Sequence, residues 1–151
     1  MTNAPKVPPL VVLAAGLALA WLIDRFVDEG AVTPVWFGWG AGVVGIGTAV
    51  ALAGVIEFRR ARTTVDPMRP ERASALVSSG IYRVTRNPMY LGFALILVGW
   101  IVALRCLPAL PIAAVFVLYL DRVQIPPEEA ALQACFGSAF DEYASRVRRW
   151  L

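Results

Sequence analysis

The sequence lacks histidine entirely and contains only two cysteines in 151 residues. The absence of histidine excludes Ser-His and Cys-His nucleophilic catalysis and the commonest zinc sites. We expect Cys106 to lie in a turn between helices and Cys135 in a polar tail, so the two thiols should not meet. Neither a disulfide framework nor a metal site is therefore predicted.

Charged side chains are also scarce. They make up 17% of the sequence, whereas apolar residues make up 58% and fall into long runs. Typical globular chains have about 25% charged and roughly 45–50% apolar residues, so this composition predicts an integral membrane protein. The formal net charge is +3 and no basic stripe is interleaved with aromatic residues, so nucleic acid is not an expected partner.

Four apolar segments predict about four transmembrane helices in one all-α domain that covers residues 1–151. The predicted spans are residues 8–23, 35–58, 88–104 and 107–120. The first span is the shortest, and Lys6 before it and Ala18-Leu19-Ala20 near its end also fit a secretory signal peptide. The tight turn Arg105-Cys106-Leu107-Pro108 should make the last two spans an antiparallel hairpin. Glycines of the second span, including the pair Gly38 and Gly42, should allow close helix packing.

The two polar segments define the predicted orientation. Residues 59–87 form a loop rich in arginine, and residues 121–151 form a tail that carries four more arginines. By the positive-inside rule both segments, and therefore both chain termini, are expected in the cytosol. Apolar residues at steps of three to four predict amphipathic helices in the tail, with a break at Gly137 and Ser138.

The stretch from Gly80 to Gly92 combines polar and apolar signals. Asn87 is a suitable N-cap and Pro88 a suitable first residue for the helix that follows, so the third span should begin at Pro88. The unpaired N–H groups of that helix end, with Arg86 beside them, form a candidate anion site. Alternatively, Arg86 is an interfacial arginine that reaches toward lipid headgroups, and Tyr90 belongs to an aromatic belt.

A second stretch, Pro126-Pro127-Glu128-Glu129, opens the predicted tail helix. Carboxylates are favoured in a first helical turn, so this pair needs no ligand to explain it. Adjacent helical residues point about 100° apart, so one carboxylate can face a pocket while the other caps the helix or meets an arginine. A helix start with an arginine and two carboxylates also suits a zwitterion with an extra positive centre, such as S-adenosylmethionine.

Both stretches together resemble the paired signature of the isoprenylcysteine carboxyl methyltransferase and phospholipid methyltransferase superfamily. The matching residues are Gly80-Ile81-Tyr82, Arg86-Asn87-Pro88-Met89-Tyr90-Leu91-Gly92, Glu128-Glu129, Leu132, Phe136-Gly137, Tyr143, Val147 and Arg149. The likeness covers roughly residues 57–151 and looks bacterial. It implies an integral membrane methyltransferase of the bacterial inner membrane that uses S-adenosylmethionine in a cytosolic pocket.

The resemblance also implies roles for individual residues. Glu128 and Glu129 would form one wall of the pocket, and Arg149 would close it. The opposite wall would contain Gly80, Tyr82, Arg86, Asn87, Pro88, Tyr90 and Gly92. Arg86 would orient either an anionic acceptor or the cofactor carboxylate, and Glu129 or Glu128 would serve as base if the acceptor is an amine or thiol. A lipophilic acceptor would enter from the bilayer. Asn87 stands where isoprenylcysteine enzymes carry His, and a neutral amide cannot be a general base.

Two other functions compete with methyl transfer. A small four-helix transporter should place an ionisable residue in the middle of the bilayer, but Glu57 lies at the end of a span beside Arg59. A membrane accessory subunit could use the arginines to bind anionic lipid headgroups. That interpretation leaves the order and spacing of the two signature stretches to coincidence.

Overall fold

The computed structural model describes residues 7–27, 32–62 and 75–151, and within these ranges it contains helices and short connections but no β-strand. The helices are α1 (Pro9–Asp24), α2 (Pro34–Arg60), α3 (Pro88–Leu104), α4 (Leu110–Tyr119), α5 (Ile125–Phe136) and α6 (Ser138–Arg146). The described connections include the 3₁₀ turns Gly80–Arg83 and Leu107–Ala109 and the π turn Leu120–Gln124. The predicted all-α class is therefore confirmed.

Among the described residues, two helical stretches have the length and apolarity needed to cross a bilayer. They are Pro34–Arg60, with 27 residues, and the continuous run Leu107–Phe136, with 30 residues. The apolar helices α1 and α3 have 16 and 17 residues. At 1.5 Å per residue they are roughly 25 Å long, somewhat less than the ~30 Å hydrocarbon core.

Proline and glycine mark the helix boundaries. The first turns of α1 to α5 all contain proline, whose fixed φ and missing N–H are tolerated there. Helix α3 begins at Pro88, as predicted, and ends at Leu104, and the following residue Arg105 adopts a left-handed φ of 60°. Gly137, with φ of 53°, separates α5 from α6 and confirms the predicted break.

Glycines bring the backbones of α2 and α3 into direct contact. A Cβ atom at Gly92 would lie 2.5 Å from the carbonyl oxygen of Gly47, and one at Gly99 would lie 2.7 Å from the Val44 nitrogen. Any side chain at these positions would push the helices apart. The predicted pair Gly38 and Gly42 does not take part, because a Cβ atom at either would have no described neighbour within 4 Å.

The fourth predicted span, residues 107–120, covers the Leu107–Ala109 turn and α4. The helical run continues through the π turn into α5, and Glu128 lies in the first turn of α5 with Glu129 next to it. The wider turn comes directly before Pro126 and Pro127, which lack N–H groups and would clash with a regular preceding turn. Helix α5 begins at Ile125 directly after this turn, so the two carboxylates lie near the start of a helix, as expected.

Two apolar clusters hold the helices together. The larger one joins α1, α3 and the α4–α5 run, and Leu97, Ile101, Leu120 and Ile125 are completely buried in it. The smaller one joins the Gly80–Arg83 turn to α6. The smaller cluster gathers the polar segments at one end of the bundle.

Candidate active site

The predicted site residues meet where the start of α3, the start of α5 and the segment after α6 come together. Main-chain carbonyls of that segment bind the residues before α3. The Arg86 backbone N–H donates to the Arg148 carbonyl over 3.0 Å, and Asn87 Nδ2 donates to the Arg149 carbonyl over 3.0 Å. The Thr85 hydroxyl donates to the same Arg149 oxygen over 3.2 Å. The segment Val147–Leu151 is thus fastened across the start of α3.

Asn87 occupies the predicted N-cap position but makes no side-chain capping bond to α3. Its amide nitrogen is engaged by the Arg149 carbonyl. The Thr85 hydroxyl oxygen accepts the backbone N–H of Asn87 over 3.2 Å. The long-range contact has replaced the local cap that the sequence suggested.

Glu129 lies between two arginines. Arg149 donates from Nη2 to Glu129 Oε2 over 2.6 Å and from Nε to Oε1 over 3.2 Å, which is a bidentate pair. Arg86 Nη1 lies 3.2 Å from Glu129 Oε1. The third guanidinium nitrogen, Arg149 Nη1, donates to Asp121 Oδ1 over 3.0 Å. The hydrogen bond with Glu129 raises the pKa of Arg149, so this residue remains charged.

Glu128 has neutral partners. The Tyr90 hydroxyl and Gln124 Nε2 each donate to its Oε1 atom over 2.6 Å. No ion pair with an arginine is made by Glu128 within the described part of the chain. Adjacent carboxylates therefore have different environments, as their angular separation on a helix predicts.

Two buried polar atoms beside this pair have no hydrogen-bond partner among the described residues. They are Arg86 Nε, a donor, and Gln124 Oε1, an acceptor. Such atoms are rare in folded proteins, and leaving one unpaired costs about 1–3 kcal/mol. The Arg86 guanidinium also lies 6.0 Å from the Phe140 ring centroid. A bound molecule with one acceptor and one donor would satisfy both orphaned atoms.

Two buried tyrosines support the site from the side of α6. The Tyr143 hydroxyl donates to the Tyr82 carbonyl oxygen over 2.8 Å, and the Tyr82 ring packs edge-on against Phe58. Burial raises the pKa of Tyr143 to about 12 and also raises the pKa of Tyr82. Both phenols are therefore neutral at physiological pH and act as packing and hydrogen-bonding groups.

The two predicted site glycines, Gly80 and Gly92, lie against α2 and not beside Glu128 and Glu129. Gly80 has a φ of +54° and contacts the carboxyl group of Glu57. Gly92 contacts the backbone of α2, as described above, and Pro88 is buried at the first position of α3. The predicted residues that the structure brings together are Arg86, Asn87, Tyr90, Glu128, Glu129 and Arg149.

Sequence reasoning missed two members of this cluster. Gln124 precedes Glu128 by four residues, a spacing that places two side chains on one helix face and could have revealed it. Asp121 precedes Glu129 by eight residues, which is about 80° out of register in a regular α-helix. Only the π turn brings Asp121 and Glu129 to the same guanidinium.

Comparison with known proteins identifies the family of the chain. A model of the phospholipid methyltransferase family matches residues 35–139, from the start of α2 into α6. The chain belongs to the phospholipid methyltransferase family. This membership confirms the resemblance found in the sequence and places the chain in a family of membrane methyltransferases.

Individual relatives extend the likeness. The "Protein-S-isoprenylcysteine O-methyltransferase B" of Arabidopsis thaliana is 33% identical over 138 residues, which cover 91% of this family member and 63% of the plant protein. A "Probable protein-S-isoprenylcysteine O-methyltransferase" of Oryza sativa is 35% identical over 107 residues, which cover 70% of this chain and 56% of the rice protein. The chain thus spans about 63% or less of the length of these relatives.

A bacterial relative matches over its full length. An "Uncharacterized protein" of Haemophilus influenzae is 38% identical over 63 residues, which are 42% of this chain and 100% of that protein. No solved structure matches the chain.

Proposed function

We propose that this protein is an integral membrane methyltransferase that transfers a methyl group from S-adenosylmethionine to a lipophilic, membrane-associated small molecule. Family membership supports methyl transfer. The observation that carries the proposal is the pair Glu128 and Glu129, one held by neutral donors and one by arginines, beside an orphaned donor and an orphaned acceptor.

The chemistry of these residues fits the cofactor. Arg86 Nε is a buried donor suited to the cofactor carboxylate, and Gln124 Oε1 is a buried acceptor suited to its ammonium or a ribose hydroxyl. Glu128 has no arginine partner among the described residues, so its carboxylate suits a cationic group. When bound, S-adenosylmethionine supplies an electrophilic methyl group.

The protein's own residues contribute positioning and exclusion of water. Arg149 joins Glu129 to Asp121 and so holds the segment Val147–Leu151 over the site. Holding donor and acceptor in line, away from water, accelerates the attack of a nucleophile on a cationic methyl donor. No base is required for a carboxylate acceptor. For an amine or thiol, we assign the proton to Glu128, because both described hydrogen bonds to it end on Oε1 and leave Oε2 available.

We further propose four membrane spans, with both polar segments in the cytosol of a bacterial inner membrane. The arginine-rich loop and the positive-inside rule support this orientation. The acceptor reaches the site from the bilayer. A cleft of about 230 Å³ between α1 and α4 has an almost wholly apolar lining that includes Val12, Leu19 and Phe116, and it suits a hydrocarbon chain.

Calorimetry on the purified protein in detergent tests the proposal. We expect S-adenosylmethionine and its demethylated product to bind with micromolar affinity. Glu128→Gln should lower the affinity for S-adenosylmethionine at least tenfold, because the cationic cofactor loses its anionic partner. Glu142→Gln is the matched control, since Glu142 is exposed and pairs only with exposed Arg146 in the described chain. Absence of binding to folded wild type would overturn the proposal.

A further inference from the structure

Glu57, near the C-terminal end of α2, lies outside both signature stretches and has no role in the site described so far. It is only 8% exposed. Its Oε1 atom pairs with Arg60, but the Arg60 side chain is 74% exposed, so water competes for that contact. Its Oε2 atom accepts a hydrogen bond from the hydroxyl of Ser79, which is distant in sequence.

Gly80 packs against the same carboxyl group. A Cβ atom at Gly80 would lie 2.5 Å from Glu57 Cδ and 2.7 Å from Oε1, and all three of its nearest neighbours would be Glu57 atoms. The φ of +54° separately favours glycine at this position. Glu57 thus fixes the turn twice, through a hydrogen bond to Ser79 and by contact with Gly80.

The fixed turn leads directly to the proposed cofactor site. It carries Tyr82, whose ring packs against Phe58 of α2 and whose carbonyl oxygen accepts a hydrogen bond from the Tyr143 hydroxyl. Tyr143 and Phe140 lie on α6, and Phe140 in turn lies beside the Arg86 guanidinium. A continuous set of contacts therefore runs from Glu57 to the arginine with the orphaned donor.

We propose that Glu57 is a positioning residue for the cofactor site. It holds the Ser79–Arg83 turn, and through Tyr82 and α6 it fixes where Arg86 presents its guanidinium. This role rests on the proposed function, because Arg86 is taken to bind the cofactor. Glu57 acts through its neighbours and touches no reacting group.

The test compares cofactor affinity in Glu57→Ala, Glu57→Gln and the control Glu142→Gln. Glu57→Ala removes the carboxylate that accepts the hydrogen bond from the Ser79 hydroxyl. If the cofactor site is then correctly arranged in about one molecule in ten, the apparent Kd rises about tenfold. Glu57→Gln retains an acceptor for Ser79 and should restore the Kd to within about threefold of wild type. Size-exclusion chromatography and thermal melting measure the folded fraction separately.

The outcomes separate this proposal from the one it rests on. If folded wild type binds no cofactor, the proposed function fails and the positioning role fails with it. If wild type binds and Glu57→Ala changes only the folded fraction, with the Kd unaltered, Glu57 is merely structural and the proposed function survives. A Kd effect that Glu57→Gln does not reverse would also overturn the proposed hydrogen-bonding role.

A double-mutant cycle examines the direct contact. Gly80→Ala should lower the affinity for the cofactor strongly when Glu57 is present, because the new methyl group meets the Glu57 carboxyl group. The same change should have a smaller effect in the Glu57→Ala background, where those atoms are gone. Additive effects would overturn the proposed contact between the two residues.

Discussion

Replacing Arg149 by lysine tests the network that holds the segment Val147–Leu151. The guanidinium makes two hydrogen bonds to the Glu129 carboxylate and one to the Asp121 carboxylate. A lysine ammonium is a point charge and cannot form the same planar fork, so it should keep one of these partners at most. Two charge-assisted hydrogen bonds are then lost.

The expected loss of stability follows from that geometry. A hydrogen bond to a charged group contributes about 1.5–3 kcal/mol when it is well shielded. The Arg149 side chain is 31% exposed, so solvent screening reduces the loss for both bonds together to roughly 1–2 kcal/mol. For a chain of this size, that corresponds to a fall in Tm of about 2–8 °C.

Thermal unfolding in detergent, followed by tryptophan fluorescence, measures the effect. The Trp150 indole donates to Asp121 within the same network, so its emission should report the local change. Arg148→Lys is the matched control, because Arg148 is exposed and its described hydrogen bond uses the main-chain carbonyl. Equal melting temperatures for the two variants would refute the assigned role of Arg149.

Three further predictions concern the supporting structure. Burial raises the pKa of Tyr143 to about 12 from an unfolded value near 10. The contribution of Tyr143 to stability should therefore be constant below pH 10 and fall between about pH 10 and 12, so thermal melts over that range should lose less stability in Tyr143→Phe than in wild type. Gly92→Ala should destabilise the protein by about 1–3 kcal/mol through overpacking, whereas Gly38→Ala should not, and equal melting curves would contradict the α2–α3 contact. Tyr90→Phe removes a donor to Glu128 and should lower the unfolding free energy by about 1 kcal/mol or more, measured by denaturant titration, with an unchanged midpoint as the contrary result.

Local signals in the sequence were sufficient for the helix boundaries. Pro88 and Gly137 act through their own backbone preferences, so the start of α3 and the break between α5 and α6 could be predicted from single residues. The two carboxylates Glu128 and Glu129 were likewise identifiable from their place after a pair of prolines.

The remaining members of the site depend on features that no local pattern contains. The π turn rotates Asp121 toward Arg149, which also binds Glu129. The periodicity of apolar residues in the sequence does not reveal the wider helical turn that causes this rotation. The contact of Glu57 with Ser79 joins residues 22 positions apart, across a polar loop, so only the fold brings them together. Tertiary geometry, and not residue type, selects these partners.

The residues before α3 bind the segment after α6 through its main chain. Arg86 and Asn87 bind the carbonyl oxygens of Arg148 and Arg149, and every amino acid offers such an oxygen. Substitution at position 148 should therefore be tolerated among related proteins, whereas an inserted or deleted residue between Tyr143 and Arg149 would misplace both carbonyls. Across the family, the length of this segment should be more constrained than the residue type at position 148.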